Sequence, residues 1–254
     1  MKRQISALFV FSLILFVSTA SSSCRSTASR REGPDPFGDS ACEKGALKTE
    51  TDGRFLLQYG IFRKRFEDQR ASASLVIAGD SLAALFLPEL MSKNLPGTDA
   101  INRGIPGDTT AFLFARLEAD VIPLRPRNLV LSIGGNDILQ GRCLSNVLSF
   151  TLLTIKALHE KLPDTRVILT SIPPTNSPRA NEIVPFFNAR MKEAVASDPR
   201  TVYLDLWPAL SESDRPQLRE EFWIKMPDGT ADSVHFNEKA YEVWGAMIMR
   251  IIKN

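Results

Sequence analysis

The feature that most constrains the fold is an alternation, between residues 70 and 210, of short apolar runs and longer segments of helical periodicity. Several apolar runs lack polar alternation, which is typical of strands covered on both faces. The runs are Ser74–Gly79, Asp99–Asn102, Asn128–Ile133, Arg166–Ser171 and Thr201–Leu206. The segments between them carry apolar stripes at helical spacing, for example Phe114, Leu117 and Val121. The pattern predicts an α/β fold in which helices cover both faces of a five-stranded parallel sheet.

The N-terminal region has the composition of an export signal followed by a linker. Lys2 and Arg3 precede an apolar run from Ala7 to Val17, which is too short for a stable membrane helix and fits a secretory signal. We expect residues 1–23 to be a signal peptide and residues 24–50, rich in Pro, Gly and Ser, a flexible tether. Residues 51–254 are then a single folded domain.

Two processing outcomes compete at the end of this signal. Small residues at Ser18 and Ala20 satisfy the rule for ordinary cleavage, which would give a soluble secreted or periplasmic protein. The Ser23-Cys24 step resembles a bacterial lipoprotein site, although Ser21 stands where a leucine is usual. An uncleaved anchor is a third option. We expect an exported protein, with a membrane tether if Cys24 is lipidated.

Composition excludes several classes of partner and cofactor. The chain has 31 basic and 29 acidic side chains, and Lys2 and Arg3 lie in the signal, so the mature chain is balanced and a nucleic-acid partner is not expected. Three cysteines and two histidines are too few for a disulfide scaffold or a zinc cluster, so no metal site is expected. A bridge between Cys42 and Cys143 is left open.

Polar residues stand where the first three predicted strands end. Ser81 follows the first strand, Gly104 lies just after the second, and Asn136 follows the third. If the strand order is 2-1-3, these ends are about 5 Å apart, at the sheet edge where α/β proteins bind ligands. A serine nucleophile would then lie beside the Gly104 amide and the Asn136 side chain, two donors suited to a developing oxyanion. This arrangement indicates acyl transfer.

The sequence offers two histidines as the base. His235 lies in a predicted loop just before the last helical stripe, with Asp232 three residues earlier to orient its ring. His159 lies within a predicted helix and is assigned a structural or surface role. Asp228 is a nearby carboxylate that competes with Asp232 for the third position. Spacing favours Asp232.

At this point the sequence resembles the SGNH, or GDSL-like, family of esterases and lipases over residues 72–254. The blocks that carry the resemblance occur in family order: Gly79–Ser81, Asn102–Thr110, Gly134–Asp137 and Asp232–His235. A lone Gly-Asp-Ser would be weak support, but four ordered blocks at strand ends are specific. Gly135 is a mild departure, because many members have a bulkier residue there.

The resemblance implies a flavodoxin-like, three-layer α/β/α sandwich with strand order 2-1-3-4-5. It implies that Ser81 is the nucleophile, His235 the base and Asp232 its orienting carboxylate. The amides of Ser81 and Gly104 and the side chain of Asn136 would form the oxyanion hole. No cofactor is implied.

The resulting prediction is a serine esterase that cleaves short acyl groups, acetyl to butyryl, from a carbohydrate or a lipid-like alcohol. Its partner would be a small-molecule or glycan ester. A lysophospholipase or lipase is the alternative among enzymes, and an exported, non-catalytic carbohydrate- or surface-binding module on the same fold is the alternative from another class. The nucleophile elbow Gly-x-Ser-x-Gly and the phosphate-binding P-loop are both absent from the sequence.

Overall fold

The computed structural model describes residues 53–67 and 72–254. The signal peptide, the tether and Cys24 lie outside the described residues, so the predictions made for them stay predictions. Within the described part of the chain, no helix has the length and apolar character needed to cross a membrane. Cys143 is disulfide-bonded, but Cys42 lies outside the described residues and its pairing stays open.

The main sheet has five parallel strands in the order β2-β1-β3-β4-β5. The strands are β1 Leu75–Gly79, β2 Ala100–Gly104, β3 Asn128–Ser132, β4 Arg166–Thr170 and β5 Thr201–Leu204. The predicted order 2-1-3-4-5 is confirmed, and each predicted run contains or overlaps its strand. Gly79 pairs in register with Gly104 on one side and with Ser132 on the other. The carboxyl ends of the three strands are therefore level with one another.

Helices cover both faces of this sheet. The helices are α1 Gly53–Glu67, α2 Ser81–Ala84, α3 Pro88–Asn94, α4 Thr110–Asp120, α5 Gly135–Leu139, α6 Leu144–Lys161, α7 Pro178–Val195, α8 Trp207–Leu210 and α9 Glu238–Lys253. One core cluster joins α4, α6 and α7 to alternate strand residues such as Val76 and Leu129. The other joins α2, α3 and α9 to the intervening residues, such as Ile77 and Val130. Because successive side chains of a strand face opposite ways, the two clusters make a three-layer sandwich.

A separate two-stranded antiparallel sheet precedes the last helix. It consists of β6 Trp223–Lys225 and β7 Ala231–Phe236. The sequence predicts a loop around Asp232 and His235, and that prediction was wrong, because both residues lie in β7. The strands are short and half-buried, so they lack the continuous apolar run that identified the main sheet. The side chain of Asn176 donates to the carbonyl of Asp232 at 2.9 Å and thereby attaches the hairpin to the segment after β4.

Candidate active site

Ser81 stands at the first turn after β1, where local packing dictates the residues before it. A Cβ atom on Gly79 would lie 1.7 Å from the carbonyl oxygen of Ser132, so only glycine fits between β1 and β3 at this point. Asp80 caps the short helix α2, because its Oδ1 accepts the amide N–H of Leu82 at 3.0 Å. The Gly-Asp-Ser sequence therefore turns the chain out of the sheet and places Ser81 at its carboxyl edge.

The hairpin strand β7 brings a histidine and an aspartate to this serine. His235 Nε2 lies 2.9 Å from Ser81 Oγ, and His235 Nδ1 lies 3.1 Å from Asp232 Oδ2. An ionised carboxylate only accepts hydrogen bonds, so Nδ1 carries the proton and the neutral ring presents Nε2 to the serine hydroxyl as an acceptor. The three side chains form a continuous hydrogen-bonded chain that can move the serine proton.

Asp232 is held as a carboxylate by donors of its own strand. Its Oδ1 accepts the amide N–H groups of Val234 at 2.8 Å and His235 at 2.7 Å. Partial burial alone would raise the pKa of Asp232, but these amide donors and the imidazole outweigh burial and leave that pKa below its usual value. Asp228 instead accepts from the backbone and hydroxyl of Thr230 in an exposed turn. The structure therefore brings Asp232, and not Asp228, to the histidine.

Asn136, in the first turn of α5, is oriented by the loop that follows β2. Its Nδ2 donates to the backbone carbonyl of Asp108 at 2.9 Å. A side-chain amide carries two N–H groups, so one remains to bind a ligand atom. Asp80, Ser81 and Asn136 line the same cavity. The structure thus brings the hydroxyl of Ser81 and the side-chain amide of Asn136 to one cavity.

The amide of Gly104, which the sequence predicts as an oxyanion-hole donor, is bound within the protein instead. Its amide N–H donates to Asn102 Oδ1 at 2.7 Å and is therefore already engaged. The absence of a side chain serves packing, since a Cβ there would lie 2.2 Å from the backbone nitrogen of Ala84. Strand β2 needs a glycine where it passes α2, independently of any ligand.

Gly107 has the free amide that Gly104 lacks. In the loop after β2, the amides of Ile105 and Asp108 donate to backbone carbonyls at 2.9 and 3.1 Å, and Pro106 has no N–H. The Gly107 amide has no hydrogen-bond partner among the described residues, and Gly107 adjoins Asp108, whose carbonyl holds Asn136. Gly107 lies within the Asn102–Thr110 block of the sequence, but a sequence does not show which amide of a loop lacks a hydrogen-bond partner.

Buried acidic residues surround this cluster. Burial raises the pKa of Asp80 to about 7 and that of Asp108 to about 6, the latter opposed by the guanidinium of Arg116. Burial also raises the pKa of Asp137, although the backbone and hydroxyl of Thr110 donate to it. Among the described residues, no group of three or more His, Cys, Asp or Glu side chains is arranged to hold a metal ion.

A small cavity of about 20 Å³ lies beside Ser81. Apolar side chains of Leu139, Ile172 and Val184 contribute to its lining, together with Asn136. Larger clefts of about 330 and 450 Å³ open elsewhere, the first beside α1 and the second beside His159, and neither is lined by Ser81. The Nε2 atom of His159 lies 2.7 Å from Asp198 Oδ2 and 3.1 Å from Thr201 Oγ1. These two contacts join α6 to the start of β5.

The chain is similar to known ester hydrolases. The model of the GDSL-like Lipase/Acylhydrolase family matches residues 66–243. Esterase TesA from Pseudomonas aeruginosa is 33% identical over 185 residues, which cover 61% of this chain and 88% of that protein.

Solved structures share the fold at low sequence identity. A GDSL-like lipase from Bacteroides thetaiotaomicron superimposes with a TM-score of 0.63 at 20% identity, over 75% of this chain and 97% of that one. A variant of an acetyl-xylooligosaccharide esterase from Geobacillus Stearmophilus gives a TM-score of 0.55 at 17% identity, over 72% and 95% of the two chains.

Proposed function

Since the chain belongs to the GDSL-like lipase/acylhydrolase family and is a carboxylic ester hydrolase, we propose that it works through a Ser81-His235-Asp232 triad. The observation that carries this proposal is the unbroken chain of contacts, 2.9 Å from Ser81 Oγ to His235 Nε2 and 3.1 Å from His235 Nδ1 to Asp232 Oδ2. Family membership favours this enzyme over the non-catalytic binding module.

The reaction follows from the protonation states. His235 Nε2 accepts the hydroxyl proton as Ser81 Oγ attacks the ester carbonyl carbon, and then returns that proton to the departing alcohol oxygen. The acyl group is now esterified to Ser81. A water molecule gives a proton to Nε2 and attacks the acyl carbon, and the same proton restores the serine as the carboxylic acid leaves. Asp232 keeps the proton on Nδ1 and stabilises the imidazolium that forms in both halves.

The negative charge of each tetrahedral intermediate needs donors already in place. We assign this role to the amides of Ser81 and Gly107 and to the remaining N–H of Asn136. The Ser81 and Gly107 amides have no hydrogen-bond partner among the described residues, and Asn136 is anchored by Asp108. This assignment replaces Gly104 by Gly107, because the Gly104 amide donates to Asn102.

A fluorophosphonate probe tests the proposed nucleophile directly. Wild-type protein should be labelled at one residue, and peptide mass spectrometry should place the adduct on Ser81. The probe should leave Ser81→Ala unlabelled while circular dichroism shows a folded protein. Labelling of a different serine, or no labelling of folded wild-type protein, would overturn the triad.

The size of the cavity supports a short acyl group. The cavity beside Ser81, about 20 Å³, is small and is lined by apolar side chains such as Leu139, Ile172 and Val184. Longer chains would have to leave the cavity and would gain little of the ~0.8 kcal/mol available for each buried methylene. The match to an acetyl-xylooligosaccharide esterase structure is compatible with an acetylated carbohydrate as substrate.

An acyl series measures this preference. With p-nitrophenyl esters from acetyl to palmitoyl, we expect kcat/KM to be highest between acetyl and butyryl and to fall for longer chains. Leu139→Ala removes a lining side chain that is 40% exposed, so it should move the optimum toward longer chains at little cost in stability. A kcat/KM that rises steadily to palmitoyl would identify a lipase or lysophospholipase instead.

We further propose that the protein is exported and that Cys24 is acylated. Support comes from the sequence of residues 1–24 alone. Expressed with its own signal, Cys24→Ser should be recovered in the soluble fraction with full esterase activity, whereas wild type should require detergent. Detergent-free recovery of wild type with Ser21 at its N-terminus would indicate ordinary secretion.

A further inference from the structure

Arg116 lies on α4, and its buried side chain contacts the loop that contains Gly107 and Asp108. It is 2% exposed. Its Nε donates to Asp108 Oδ2 at 2.8 Å, and its Nη2 donates to the carbonyl of Arg103 at 2.8 Å and to that of Gly79 at 3.3 Å. One guanidinium thus ties together the ends of β1 and β2 and the loop that follows β2. Each of these segments leads to a residue of the proposed site.

Asp108 connects this guanidinium to Asn136. Its side chain is fully buried, with Oδ2 bound to Arg116 and Oδ1 accepting the amide of Thr109 at 3.0 Å. Both carboxylate oxygens are therefore engaged, which fixes the backbone of this residue. The backbone carbonyl of Asp108 is the acceptor for Asn136 Nδ2 at 2.9 Å. Asp108 is therefore the one residue that connects the Arg116 guanidinium to the side-chain amide of Asn136.

The far end of the same loop is held independently of Arg116. Thr110 donates its amide to Asp137 Oδ2 at 3.0 Å and its hydroxyl to Asp137 Oδ1 at 3.1 Å. These bonds dock the start of α4 onto α5 and keep the two elements adjacent. Loss of Arg116 would therefore loosen the loop around Gly107 and Asp108 without detaching it from α5.

We propose that Arg116 is a positioning residue for the oxyanion hole, which acts through Asp108 on the Gly107 amide and on Asn136. The inference rests on the proposed function, because it requires those two groups to bind the oxyanion. Donors are effective when they lie within about 2.7–3.1 Å of the charge that develops. A displacement of about 1 Å at such a site typically costs about 10²-fold in rate.

A double-mutant cycle separates positioning from a purely structural role. We would measure kcat and KM with p-nitrophenyl acetate for wild type, Arg116→Lys, Asn136→Ala and the double variant, each corrected for folded protein. Lysine keeps the positive charge but lacks the planar fork that reaches both carbonyls and the carboxylate. Removing one oxyanion donor typically costs about 10²–10³-fold in kcat, which is the expectation for Asn136→Ala.

We expect Arg116→Lys to lower kcat by about 10–10²-fold with KM changed by less than about 2-fold. Because both residues act on the same intermediate, the double variant should lose at least about 5-fold less than the product of the single losses. A double variant that equals that product, or a loss confined to KM, would overturn the inference. If kcat survives Asn136→Ala intact, the proposed oxyanion hole itself fails.

Two further variants keep the test decisive. Arg103→Lys is the matched control. Arg103 is also buried, at 1% exposed, but its side chain donates to the carbonyls of Asp120 and Asn102 and not to Asp108. The kcat of this variant should therefore stay within about 3-fold of wild type. If Arg116→Lys does not fold, Asp108→Asn takes its place in the cycle. Asparagine preserves the backbone carbonyl and removes the charge that binds Arg116, and the same non-additivity with Asn136→Ala is expected. An additive result for it would overturn the inference equally.

Discussion

Ser81→Ala should lower kcat by about four to six orders of magnitude, the effect typical of removing a serine nucleophile from a triad. The physical reason is that the proposed mechanism forms the acyl-enzyme on Ser81 Oγ, and without this atom the proposed oxyanion donors leave only a small residual rate. Stability should change by no more than about 1 kcal/mol, the typical net contribution of one hydrogen bond, because the substitution removes the bond between the Ser81 hydroxyl and His235. Initial rates with p-nitrophenyl acetate and thermal unfolding followed by circular dichroism measure the two effects.

Ser233→Ala is the control for this substitution. Ser233 lies on the same hairpin strand as His235 and has an exposed side chain, so its replacement should leave kcat within about 2-fold. Substantial turnover by folded Ser81→Ala protein would be incompatible with the mechanism. Equal losses for the two variants would indicate a disturbed hairpin rather than a missing nucleophile.

Asp232→Asn should lower kcat by about 10⁴-fold, comparable to amide substitutions in other triads. Asparagine can still accept the amides of Val234 and His235 through its oxygen, which leaves its NH₂ group facing His235 Nδ1. The ring must then accept at Nδ1 and carry its proton on Nε2. In that tautomer the imidazole cannot take the proton of Ser81, so geometry is preserved and general-base catalysis is lost.

Asp228→Asn is the matched control, since it makes the same chemical change four residues earlier. Its carboxylate lies in the exposed turn between β6 and β7 and bonds to Thr230, so kcat should change by less than about 2-fold. Steady-state kinetics of both variants at saturating substrate compare them directly. The opposite ranking would assign the third member of the triad to Asp228.

The main sheet could be predicted because its three central strands, β1, β3 and β4, are buried on both faces and leave a nearly uninterrupted apolar signal. Val76, Ile77 and Ala78 are fully buried, and such runs between amphipathic helices admit few topologies. The hairpin β6–β7 was missed because one face of it remains partly exposed and its strands are short. Secondary structure of this kind is decided by its partners, not by its own composition.

Within the site, residue types were predictable and backbone donors were not. Ser81, His235 and Asn136 carry distinctive side chains, and parallel strand ends bring such residues together. The choice between Gly104 and Gly107 depends on which amide is already hydrogen-bonded, and a sequence does not display that. Arg116 was hidden for a related reason: a charged residue in an amphipathic helix ordinarily faces solvent, whereas here it is buried against Asp108.

Two of the three members of the proposed triad, Asp232 and His235, lie on the hairpin strand β7, so the loss of activity and the unfolding of the whole domain need not coincide. The strand that leads to Ser81, β1, is buried along its whole length, whereas β7 is half-buried and pairs with a strand of three residues. Proteins open in cooperative units of unequal stability, and we expect the hairpin to be one of the less stable units. Under rising denaturant, esterase activity should therefore vanish before the far-ultraviolet signal of the sandwich changes, and β7 amides should exchange with deuterium faster than those of β1 and β3.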